Sequence, residues 1–156
     1  MPAQDFDPEI LQDFLTESGE LLDELEGDLV RLEEDPADPD MLNKVFRALH
    51  TIKGSASFLA LTNLVAIAHA AESALNAARG GSVRVDRAVM DMLLAAVDVL
   101  KEQMGQLAAG QELVAADPEL VRGLAAVGEG IAPPGGEPVP AGVERAPEPA
   151  AEAARP

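Results

Sequence analysis

Between Pro8 and Glu34, apolar side chains return at Ile10, Phe14, Leu21, Leu25, Leu29 and Leu32 while acids fill the positions between them. That spacing predicts one amphipathic helix with an acidic outer face. "DPADPD" stops it, and Asp38 followed by Pro39 starts a second helix as cap and first-turn proline. The second runs to Leu59, with Met41, Val45, Leu49, Ile52, Ala56 and Leu59 on one stripe. "LALTN" breaks the pattern, and Thr62 is placed to cap a third helix from Asn63 to Arg79, ended by Gly80 and Gly81. A fourth helix turns Val89, Leu93, Ala96, Leu100, Met104 and Leu107 inward, and Asp117-Pro118-Glu119 opens a short fifth that reaches Val127. No strand alternation and no internal repeat occurs. Four long helices on short connections predict an all-α fold: an up-down-up-down four-helix bundle with an additional short C-terminal helix.

Composition supports this and divides the chain. Of 156 residues, 47% are hydrophobic but only 3% aromatic, with no Trp, Tyr or Cys. An interior rich in Ala and Leu suits helices packed on helices. Without cysteine there is neither a disulfide framework nor a thiolate metal site. From Ile131 onward the chain is Pro, Ala, Gly and Glu with almost nothing to bury, so residues 1–130 are expected to fold and 131–156 to form a disordered linker. A chain that ends in such a linker reads as a fragment of a longer, multidomain protein. The N-terminus is acidic where a secretory signal would be basic, and no apolar run of about 18 residues exists to enter a membrane. The expected location is cytoplasmic.

The formal net charge of −17 argues against nucleic acid as a partner. Its distribution is more informative. Residues 1–40 carry a net −14, whereas residues 41–82 carry Lys44, Arg47, Lys53 and Arg79 against Glu72 alone, a net +3. One basic island therefore lies in an acidic chain, and His50 is inside it.

On the second helix His50, Arg47 and Gly54 fall about 150–170° from the centre of the apolar stripe, so this histidine faces out rather than into the core. Between Thr62 and Ala78 the third helix bears only two charged or imidazole side chains, His69 and Glu72. If the two helices form an antiparallel hairpin turning at Leu61, His50 stands level with Glu72, and Lys53 with His69. A carboxylate accepting the Nδ1–H of His50 would leave Nε2 as a nucleophile pointing into solvent. No serine or cysteine is arranged for acyl chemistry, but a phosphoryl group suits such a nitrogen. Lys53 could neutralise phosphoryl oxygens, and Gly54 would leave room for another protein's active site. As an edge residue, Lys53 is expected to contribute no more than about 0.5 kcal/mol to stability. His69 is expected on a more enclosed shoulder than His50. A different class of function, a metal-binding helical bundle, is disfavoured because His50 points outward and Lys53 would sit in the site as a cation.

"FRALHTIKGSASFL" followed by "AHAAE" resembles the histidine phosphotransfer (HPt) family, with its helix-borne His-x-x-Lys-Gly signature. Within that family it looks like the N-terminal phosphoacceptor domain of CheA-type chemotaxis histidine kinases, which opens with a helix similar to "FLTESGELLDELEGDLVRLE". The resemblance covers residues 6–127. It implies that His50 is phosphorylated, that Glu72 is its hydrogen-bond partner, and that Lys53 and His69 form the supporting shell. It also implies an ATP-binding kinase domain and response regulators as partners, with ATP and Mg bound by those partners and no cofactor in this chain. The isolated domain would be monomeric and not an enzyme by itself. The alternative within the same chemistry is a free-standing HPt shuttle in a multistep phosphorelay.

Overall fold

A computed structural model describes residues 7–131. The first residues and nearly all of the expected linker lie outside the described residues. The helices are α1 (Pro8–Glu34), α2 (Pro39–Phe58), α3 (Thr62–Arg79), α4 (Arg87–Ala108) and α5 (Pro118–Gly128), and the described residues contain no strand. Three of the five start alike. Asp7, Asp38 and Asp117 each precede a proline, and each side chain accepts a backbone N–H from the first turn. The aspartate satisfies an orphan donor and the proline needs none. Asp86 caps α4 by accepting from the Val89 N–H at 3.0 Å.

α2 packs on α1 and α3, and α4 closes the ring by packing on α1 and α3, while α5 lies against α3 and α4. Cross-links confirm the antiparallel sense. Lys44 of α2 meets Glu24 and Asp28 of α1 at 2.9 and 3.2 Å, and Gln103 of α4 donates to the Asn63 carbonyl of α3 at 3.4 Å. α3 is covered on three sides, which its buried alanines at 68, 70, 71, 74, 77 and 78 permit. α5 buries Leu124 and Val127 completely, and Gly128 lies so close to α3 that a Cβ there would stand 2.8 Å from Ser73 Cβ.

Four expectations need correction. Ile10 is 46% exposed, where α1, at 27 residues, is longer than the 20-residue α2; Leu22 is buried instead. Met41 is only half-buried, and Leu42 takes its place in the core. Thr62 does not cap α3. Ala60 turns the chain in the left-handed region at φ 60°, Leu61 dips into the core as the cap residue, and the helix begins at Thr62 with no side-chain cap. The acids of α1 are not all on its outer face either: Asp28 is buried and satisfied by Lys44.

Candidate functional site

His50 lies on α2 between the buried Leu49 and Ile52, yet its own side chain is 62% exposed. Glu72 reaches toward it from α3, and its side chain is only 8% exposed. One carboxylate oxygen, Oε2, accepts the His50 Nδ1–H; the other, Oε1, holds the Lys53 ammonium at 2.7 Å. His50 and Lys53 are neighbours on α2, one turn apart, so both can converge on one carboxylate. Burial pushes the Glu72 pKa up, but Lys53 and His50 outweigh it and hold the carboxyl below its ordinary value near 4.5. An ionised carboxylate only accepts. The proton between them therefore belongs to Nδ1, and in the neutral imidazole the Nε2 lone pair is the one turned to solvent.

The hairpin register has His50 and Glu72 equally far from Leu61, as expected. Asn43 and Arg79 are equally far from it too, and Arg79 donates to Asn43 Oδ1 at 2.6 Å. Lys53 and His69 are equally far from Leu61 as well, and Lys53 gives its charge to Glu72. His69 is exposed, not enclosed: it shares the open stripe of α3 with Ala66 and Asn76. Gly54 is exposed, and a Cβ built on it would meet nothing within 4 Å.

The sequence pattern did not single out Phe46 and Arg79 as site residues. Phe46 stacks on His50 with ring centroids 6.1 Å apart, and the Arg79 guanidinium lies 3.7 Å from the Phe46 centroid. The i,i+4 spacing of Phe46 and His50 was the available signal. The basic island is also less free than its count suggests, since Lys44, Lys53 and Arg79 each have partners on the bundle itself. Among the described residues no group of three or more His, Cys, Asp or Glu is placed to hold a metal ion, and no helix is long and apolar enough to cross a membrane.

The fold and site together define a helical bundle that presents an imidazole, held through Nδ1 by a buried carboxylate, to solvent from the middle of one helix. The Hpt domain family model matches residues 9–125, and the chain belongs to that family. It is 46% identical over 93 residues to the sensor histidine kinase CheAY of Helicobacter pylori, a match covering 60% of this chain and 12% of that protein. It is 36% identical over 114 residues to the chemotaxis protein CheA of Treponema pallidum, covering 70% and 14% respectively. The chain thus spans a small part of the relatives it matches. Among solved structures it resembles the CheA phosphotransferase domain from Thermotoga maritima, at 31% identity and TM-score 0.62, over 64% of this chain and 95% of that one. It also resembles a histidine phosphotransfer domain of CheA solved in solution, at 26% identity and TM-score 0.69, over 80% and 92%. The chain is a CheA-like phosphotransfer domain.

Proposed function

We propose that His50 is the phosphoacceptor of a chemotaxis-type histidine kinase, taking the γ-phosphoryl group of ATP from a kinase domain and passing it to a response-regulator aspartate. The observation that carries this reading is the exposed His50 ring bound through Nδ1 to buried, ionised Glu72. The Nε2 lone pair attacks phosphorus, the bond from phosphorus to the bridging oxygen breaks, and ADP leaves. Nδ1–H stays on Glu72, which balances the positive charge that the imidazole acquires. In the second transfer an aspartate oxygen attacks the same phosphorus and the N–P electrons return to Nε2.

Lys53 acts first on Glu72, neutralising its second oxygen, and from there lies one turn from the phosphoryl group. Gly54 leaves the approach to Nε2 open, and His69 supplies a second imidazole on the neighbouring exposed stripe. ATP and its Mg would be held by the kinase partner, and the chain would act as a phosphorylated intermediate in the cytoplasm rather than as an enzyme. Residues 131–156 would serve as the linker to further domains. The test is incubation with a CheA-type kinase core and labelled ATP. His69→Gln should accept acid-labile, alkali-stable phosphate and His50→Gln should not. Unchanged labelling of His50→Gln refutes the proposal.

A further inference from the structure

An imidazole has a face as well as an edge. Glu72 holds the edge of His50, and the Phe46 ring, one turn earlier on α2, stacks beside it in an offset arrangement, with the ring planes 15° apart and the centroids at 6.1 Å. This is the offset stacking that aromatic pairs prefer. Phe46 is itself held. The Arg79 guanidinium carbon lies 3.7 Å from its centroid, well within cation–π range. That guanidinium is tied in turn, one terminal nitrogen donating to Asn43 Oδ1 at 2.6 Å and the other to Asn76 Oδ1 at 3.0 Å. The chain of contacts runs from two amides on two helices, through a cation and a phenyl ring, to the exposed imidazole.

We infer that Phe46, braced by Arg79, is a positioning residue for phosphoryl transfer, holding the plane of the His50 imidazole so that Nε2 faces the incoming phosphorus. This rests on the reading of His50 as phosphoacceptor. A hydrogen bond at Nδ1 does not by itself stop a largely exposed ring from swinging about its side-chain torsions. In-line attack tolerates little misalignment. A second contact, from the offset stacked phenyl, restricts that freedom. The phenyl also presents its negative face beside a ring that turns cationic as the N–P bond forms. A simple surface pair on one helix would suffice for the i,i+4 contact alone. It would not explain an arginine from the adjacent helix, committed through both terminal nitrogens, seated on the same phenyl ring.

Potassium phosphoramidate tests this without any partner protein. The Nε2 lone pair attacks the reagent's phosphorus, the P–N bond of the reagent breaks, and its nitrogen leaves as ammonia. Exposed His69 in the same chain is the internal reference. In Phe46→Leu the rate at His50 should fall roughly fivefold relative to His69, the scale of aromatic pairing beyond area burial. Nitrogen NMR should show the Nε2–H tautomer of His50 rising from near absence, with the melting temperature held. Phe46→Tyr should restore both. Arg79→Gln, which keeps the ring and removes its brace, should move both readouts in the same direction and stands in if Phe46→Leu fails to fold. With a kinase core, kcat should drop while KM stays within about twofold. An unchanged His50-to-His69 ratio and tautomer in a folded Phe46→Leu or Arg79→Gln overturns the inference, as does an effect confined to KM. Neither result touches the assignment of His50 as acceptor, which falls only on the labelling of His50→Gln.

Discussion

Burial alone would raise the pKa of the Glu72 carboxyl, and here Lys53 and His50 more than reverse that and favour its charged form. Its folded pKa lies below the unfolded one, so the stability it contributes is present above about pH 4.5 and fades as pH falls through the depressed folded value. Urea unfolding from pH 7 to pH 3 should show the native chain more stable than Glu72→Gln at the neutral end, with the gap closing below the carboxylate range. At neutral pH the same variant should raise the Nε2–H tautomer of His50 and slow its phosphorylation. A gap independent of pH would mean that the charge on Glu72 is not what matters. Lys53 must be re-priced for the same reason. Its removal leaves a buried oxygen of Glu72 without its cation, so Lys53→Ala should cost about 1–3 kcal/mol rather than the 0.5 expected of an edge residue. Lys53→Arg should recover part of that, because a planar fork reaches the carboxylate with different geometry. Denaturant midpoints with matched m-values decide between the two magnitudes.

At the scale of helices and turns, two backbone positions carry opposite expectations. Ala60 holds φ 60° in the α2–α3 turn, a conformation that disfavours a Cβ by roughly 1–2 kcal/mol and glycine not at all. Ala60→Gly should therefore raise thermal stability, less the extra entropy of glycine in the unfolded chain. Gly128→Ala should lower it, because the added carbon meets Ser73 side chain and backbone and pushes α5 off α3. Overpacking of this kind costs about 1–3 kcal/mol. Helix existence and most boundaries were legible because their signals are local: Asp-Pro pairs, a Gly-Gly stop and a 3.6-residue period. The register of α2 on α3 was legible because a short turn leaves little choice. The Ala60 conformation and the missing cap at Thr62 were not, since both follow from Leu61 being drawn into the core.

Across the whole molecule the acidic surplus is less uniform than the charge count implied. Asp28 is buried under Lys44, and Glu26 of α1 pairs with Lys101 of α4, so part of the charge serves to align helices. The pairing of His50 with Glu72 could be read from sequence because α3 offers one carboxylate between Thr62 and Ala78 and the short turn sets it level with His50. The destination of Lys53 could not, since periodicity sets the height of a side chain but not which of two partners it chooses. Phe46 and Arg79 were equally hidden as site residues: nothing joins them to His50 until two helices bring them together.

The empty space around Gly54 has a consequence for anyone who would improve this domain. Nothing in the bundle occupies that volume, so the fold has no use for the glycine and would gain from a methyl group, by about 1 kcal/mol of helix propensity. A screen that rewards heat resistance alone should therefore recover Gly54→Ala among its winners. The same variant should react with phosphoramidate at the native rate yet accept phosphate from a kinase core more slowly, because the methyl obstructs only a protein-sized donor. Melting curves beside the two labelling rates measure that divergence. The position would then mark where selection has favoured the encounter over the durability of the domain.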